Sequence, residues 1–380
     1  GCVCVGVIYP VYARVHRRRR GDVVKKREAS FQILKLVAMF MIISHHLVAK
    51  NAFNIDTEII GITGNKFALQ ILGNNAFIGN NLFFLVSAWF LSEKSDEKVN
   101  LNYSTKSCWK IEKTVLFYGL SMCLGAFVVG GGQSKALLLQ SVFPTVTGMW
   151  WYPTTYMIFL LIWPFYHRAL MGFSVDTLKQ FTIVILVIWS VSTMLPFVNW
   201  GANNLIAFFM LYSIVIIIRR MGITFESHKL KFKVLILIPY SVAVISIIAL
   251  DLLGKKISFV ANYSCYFMRG NYRPVSMMVS VGLFMWGTSW KIKSNKVINY
   301  LAEATFGIYL FHMYPANMTY LFEKLFSLQH VIKRPYAVLW FISVTAIIFV
   351  VGVAIDSLRK AFFYGCEFLT NWIRAKNDSV

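Results

Sequence analysis

The sequence predicts an all-α protein, a polytopic transmembrane bundle of about ten spans with both termini in the cytoplasm. Three observations carry that prediction. The 380 residues are 57% hydrophobic and only 14% charged, with a mean hydropathy of +0.60, whereas soluble domains run near a quarter charged. The apolar residues fall in runs of about twenty, the length that crosses a hydrocarbon core. Lys and Arg gather in alternate loops, as they do when positive loops stay in the cytoplasm.

Taken in order, the apolar windows are residues 31 to 50, 72 to 92, 112 to 132, 150 to 168, 180 to 196, 203 to 219, 233 to 253, 272 to 290, 300 to 322 and 337 to 358. Between the third and fourth, ALLLQSVFPTVTG is too short and too interrupted by Pro and Gly to cross alone, and reads as interfacial or re-entrant. The basic loops precede the first window and follow the second, fourth, sixth and eighth, whereas NWGANN carries no charge. GKKISFVANYSCYFMRGNYR breaks the pattern with four positive residues outside, and is a candidate functional loop. The domain division is a basic N-terminal tail at 1–27, a transmembrane domain at 28–360 and a cytoplasmic C-terminal tail at 361–380. The apolar part of the leading segment precedes its basic run, the wrong order for a secretory signal. That segment reads either as a disordered basic tail near anionic lipid or as sequence upstream of a functional start near KKREAS.

The net charge of +22 is distributed as bilayer orientation demands, which argues against a nucleic-acid partner. Six cysteines lie scattered without metal-ligand spacing, so neither a disulfide framework nor a metal site is expected.

Ionisable side chains inside a span are costly unless they face the bundle interior or water, so each is a functional candidate. The first window, FQILKLVAMFMIISHHLVAKN, carries Lys35 near one end and His45 and His46 near the other. Lys35 is close enough to the cytoplasmic end to snorkel, but the histidines sit about 20 Å from it at 1.5 Å per residue. Eleven residues separate Lys35 from His46; at about 100° each they bring His46 within about 20° of Lys35, while His45 points about 80° away. A histidine in a protein-lined pore suits general-base work on a hydroxyl. The alternative is a core histidine bonded to a neighbouring helix.

The second window holds Asn74, Asn75, Asn80 and Asn81, and amides in spans either bridge helices or line wet cavities. At the outer mouth of the fourth, Trp150, Trp151 and Tyr152 form either an interfacial aromatic belt or a face for sugar rings. In LAEATFGIYLFHMYP, Thr305 and His312 share a stripe with Tyr309 beside them, and Glu303 is placed to pair with a cation such as Lys35. Arg269 and Arg273 flank GNY at the outer edge, where they meet anionic groups or solvent.

Together these stretches resemble the membrane-bound acyltransferase 3 family. The resemblance rests on LKLVAMFMIISHH, NNLFFLVSAWFL, WWYPTTYMIFLLIWP, RPVSMMVSVGLFMWGTS and ATFGIYLFHM, in order from near Lys25 to near Lys360. It implies a many-helix membrane fold in the cell membrane and transfer of an acyl group, often acetyl, from cytosolic acyl-CoA to a hydroxyl of a cell-surface or exported polysaccharide. His46 stands at the family's essential first-helix histidine. Lys35 replaces a usual arginine, keeping the charge without the bidentate fork, and Ala88 and Thr305 replace a common glycine and serine. Some relatives carry an extra hydrolase-like domain; nothing after Lys360 is long enough for one, so direct transfer or a separate partner protein is expected. The expected roles are catalysis at His46 and His45, acyl-CoA binding at Lys35 and Glu303, and acceptor binding at Trp150, Trp151, Tyr152, Asn81, Thr305, His312, Arg269 and Arg273. The expected partners are acyl-CoA (acetyl-CoA), a glycan acceptor and the lipid bilayer, with no metal. The competing reading is a transporter or flippase for a polysaccharide or small solute, in which His and Lys serve proton coupling.

Overall fold

The computed structural model describes residues 12–128 and 134–377, with side chains at 29–128 and 134–368, and its described residues include no strand. The first eleven residues of the expected tail and the end of the third window lie outside the described residues. From Tyr12 the backbone is already helical and runs unbroken into the first span as α1 (Tyr12–Ala49). There follow α2 (Gly64–Asn74), α3 (Ala76–Ser92), α4 (Leu101–Val128), the short α5 (Lys135–Val142) and α6 (Trp151–Gly172). The second half comprises α7 (Val175–Trp189), α8 (Asn204–Arg220), α9 (Lys229–Gly254), α10 (Pro274–Thr288), α11 (Lys296–His312) and α12 (Ala337–Asn377). Each predicted window therefore holds a helix. Five stretches among the described residues are long and apolar enough to cross a membrane, namely Ala29–Ala49, Leu101–Val128, Val175–Met194, Glu226–Gly254 and Ala337–Phe368.

Local chemistry sets the boundaries. Thr63, Ser174, Asn203 and Asn295 accept N–H groups of the first turns of α2, α7, α8 and α11, satisfying donors that have no partner within the helix. Two windows are interrupted where one uninterrupted span was predicted. Asn75 separates α2 from α3 with φ −73° and ψ −8°. α11 stops at His312 because Pro315 cannot continue the hydrogen-bond ladder and forces the preceding Tyr314 to extended backbone, φ −64° and ψ 131°.

α1 is the central helix. Phe31, Leu34 and Ala38 bury their side chains with α3, α6, α8 and α10. One turn on, Met39, Ile42, Ile43 and Leu47 pack instead with α4, α11 and α12. Phe83 of α3 and Tyr152 of α6 touch both clusters, so the seam between the clusters runs beside the middle of α1.

The close approach of α3 to α1 depends on Gly79. A Cβ there would lie 2.8 Å from the Ala38 carbonyl oxygen and 3.1 Å from Met41 Cβ. Gly79→Val is expected to destabilise the protein by about 1–3 kcal/mol, the usual cost of overpacking. Thermal unfolding of detergent-solubilised protein checks this, and an unchanged midpoint would contradict the packing described.

Candidate active site

Along one face of α1 lie Lys35, Met39, Ile42 and His46, spaced four, three and four residues apart, as the facing argument requires. Lys35 lines a cavity of about 310 Å³ in the seam, walled by Phe83, Val86, Ser87, Tyr152, Tyr156, Thr305 and Phe306, with the exposed Glu303 at its rim. Phe83, Tyr152 and Phe306 also line a space of about 20 Å³ bounded by Met39, Ile42, Asn80 and Tyr309, room for one water-sized group. The next turn of α1 and of α11 beyond this space carries His46 and His312.

These two histidines, 266 residues apart, meet with Nδ1 of His46 2.9 Å from Nε2 of His312. His312 Nδ1 is 2.6 Å from the Ile308 carbonyl oxygen. Both rings are buried, His46 at 7% exposure and His312 at 0%. Tyr309 stands beside them, with ring centroids 6.4 Å from His46 and 6.1 Å from His312.

Next to His46 in sequence, the half-buried His45 lines a second cavity of about 330 Å³ with Asn51, Asn54, Asp56, Asn74 and Arg269. His45 Nδ1–H donates to the Gly73 carbonyl at 2.6 Å. Arg269 is held in the wall by ion pairing to Asp56 and by Nε–H donation to Asn74 Oδ1 at 3.0 Å. Behind that wall Lys66 and Asp251 form an ion pair of 2.8 Å with side chains 1% and 0% exposed, and Gln70 Nε2 bridges Asp56 and Asp251 at 2.9 and 3.3 Å.

A family model described as an acyltransferase domain matches residues 28–356. The chain belongs to the acyltransferase 3 family. It matches no curated protein and no solved structure.

Within this acyltransferase several expected placements change. Glu303 pairs with Lys360 at 3.5 Å; it shares the cavity rim with Lys35 but makes no ion pair with it, because α12 brings a second lysine closer. His312 has both ring nitrogens engaged within the protein and is not free to hold an acceptor. Trp150 is 1% exposed and packs against Tyr314, so it belongs to the core, neither a belt nor a stacking face. Of the aromatic trio only Tyr152 reaches the seam cavity, while the half-buried Trp151 packs on it at 5.4 Å between ring centroids. Asn81 is fully buried, and its amide donates to the Asn271 carbonyl at 2.9 Å, tying α3 to the turn that leads into α10. Arg273 lies against the Tyr266 ring, 3.7 Å from its centroid, and Arg269, ion-paired to Asp56, keeps a side chain 38% exposed. Thr305 keeps its place on the cavity wall, its hydroxyl donating to the Ala302 carbonyl at 2.7 Å.

Asp56, Lys66, Gln70 and Asp251 were not singled out from sequence. Asp251 carried a usable signal, a carboxylate inside the window VLILIPYSVAVISIIALDLL. Lys66 and Asp56 fall between windows, where charge is unremarked.

Proposed function

We propose that this family member transfers an acyl group, acetyl in the first instance, from acyl-CoA entering at the Lys35 end to a hydroxyl of a cell-surface or exported polysaccharide approaching at the His45 end. The observation that supports it is the buried His46 on α1, one turn beyond the space bounded by Met39, Ile42 and Tyr309 and next in sequence to His45, with an apolar, aromatic cavity at Lys35 and a second of similar size lined by amides, His45 and Arg269; His46 itself lines neither cavity. The first suits a thioester arm with phosphates left near the basic end. The second suits hydroxyls, which need both donors and acceptors.

His46 acts as the general base. Its ring takes the acceptor's hydroxyl proton, the oxygen bonds to the acyl carbon, the carbon–sulfur bond breaks, and the proton passes to the leaving thiolate. The space of about 20 Å³ between Phe83, Tyr152 and Tyr309 fits an acetyl methyl better than a long chain. His45 contributes from the acceptor side: with Nδ1–H given to Gly73, its Nε2 lone pair is left to accept a sugar hydroxyl.

Purified protein in vesicles, given acetyl-CoA labelled in the acetyl group and a glycan acceptor, should move label into the glycan in proportion to enzyme. Solute flux with no labelled glycan would point instead to a transporter or flippase. Lys35→Ala should raise KM for acyl-CoA about tenfold, equivalent to about 1.4 kcal/mol, with kcat little changed. An unchanged KM at low ionic strength would remove Lys35 from the donor site.

A further inference from the structure

We infer that His312 is a positioning residue that fixes the tautomer of His46, so that the lone pair of the base sits on Nε2. The inference rests on the reading of His46 as general base, and adds to it which nitrogen does the work and why.

The argument begins at a group that cannot donate. The Ile308 carbonyl only accepts, so the contact of 2.6 Å from His312 Nδ1 requires a proton on that nitrogen. A neutral His312 then has its lone pair on Nε2. That lone pair faces His46 Nδ1 at 2.9 Å, and two lone pairs cannot share a hydrogen bond, so His46 carries its proton on Nδ1. Nε2 is left as the unprotonated nitrogen of the His46 ring and, unlike Nε2 of His312, accepts no bond within the pair, so it is the one available to take a proton. One carbonyl of α11 thus sets the protonation pattern of two rings in succession.

Packing keeps the chain of bonds in register. Tyr309 meets the His312 ring edge-on at 90°, and Phe322 does so at 81° with centroids 6.3 Å apart. Phe322 lies in Thr319–Leu325, beyond the break that Pro315 imposes on the predicted ninth span. The broken helix therefore returns an aromatic ring over the histidine that ends α11. A free histidine side chain prefers the opposite tautomer, with the proton on Nε2, so a His46 without this partner would present a donor where the acceptor hydroxyl needs a base. When Nε2 takes the proton, the positive ring still donates from Nδ1 to His312, a charge-assisted bond that favours the protonated state during reaction.

The test is nitrogen-15 NMR of histidine-labelled protein in detergent micelles, with the His46 signals assigned by their loss in His46→Asn. Wild-type protein should show His46 protonated at Nδ1 and unprotonated at Nε2. His312→Ala should shift the population toward Nε2–H and lower kcat about 10- to 100-fold, with KM for acyl-CoA nearly unchanged. His312→Gln offers an amide N–H to Ile308 and a carbonyl to His46, so it should restore the Nδ1–H form and recover most of the lost kcat. If His312→Ala does not fold, the glutamine variant carries the test alone. Folded His312→Gln with His46 protonated at Nε2 and wild-type kcat would overturn the inference, as would Nε2–H in the wild type or an unchanged tautomer in His312→Ala. Activity retained by His46→Asn would sink the general-base reading separately, while the NMR result would still decide the tautomer.

Discussion

His46→Asn inserts, folds with near wild-type stability, and loses acyl transfer by a factor on the order of 10²–10⁴, the usual worth of a positioned general base. Asparagine is the informative replacement because its amide N–H can still donate to His312 Nε2, as His46 Nδ1 does at 2.9 Å in the native protein. Alanine would strip that partner from a fully buried ring and add roughly 1–3 kcal/mol of destabilisation, confusing loss of chemistry with loss of structure. The measurement is turnover per folded molecule, with folding followed by thermal unfolding. More than a tenth of wild-type turnover in the asparagine variant would show that the imidazole does not carry the proton. His45→Ala gives the contrast: its ring lines the cavity proposed above for the acceptor, so its loss should weaken acceptor binding more than it slows the step at saturating acceptor.

The helices were legible because a bilayer imposes length and apolarity on any helix within it: each apolar window holds a helix, with only α5 and most of α2 lying between windows, and five stretches among the described residues are long and apolar enough to span. The facing of Lys35 and His46 was legible for a similar reason: helical periodicity is local, and eleven residues fix an angle. What periodicity cannot give is the partner. His312 was visible as a histidine on the stripe of Thr305, yet nothing within α11 announces that α1 will bring another histidine to 2.9 Å. The same distance in sequence hid the replacement of Lys35 by Lys360 beside Glu303. Asp356 was the more recoverable omission. It is a carboxylate inside the last apolar window, fully buried, accepting from Tyr118 Oη–H at 3.0 Å and paired with Arg359 at 2.7 Å. Gly307 makes room for it, since a Cβ at that position would collide with both Asp356 and Tyr118. Composition flagged histidines because they are chemically suggestive; burial cost singles out aspartates just as strongly.

Lys66→Met should be the most damaging substitution outside the histidine pair, lowering stability by about 3–5 kcal/mol. The lysine ammonium lies 2.8 Å from Asp251 Oδ1 and donates to the carbonyls of Asp56, Ile59 and Gly61 at 3.2, 2.9 and 3.0 Å. Methionine keeps the stem's volume and removes the charge, leaving a fully buried carboxylate whose remaining support is Ser264 Oγ–H at 2.6 Å and the longer Gln70 contact. Breaking a buried pair from one side strands the other ion, whereas removing both strands neither. The double variant Lys66→Met with Asp251→Leu should therefore be more stable than the sum of the single effects predicts, by about 0.5–3 kcal/mol. It should still fall short of wild type, because the three carbonyls lose their donor. Unfolding of the four proteins in one detergent gives the cycle, and strict additivity would show that the pair is not coupled. The same network holds Asp56, Asp56 holds Arg269, and Arg269 forms a wall of the His45 cavity. At temperatures where Lys66→Met stays folded, it should consequently raise KM for the acceptor while leaving KM for acyl-CoA unchanged, since the Lys35 cavity shares no lining residue with the His45 cavity.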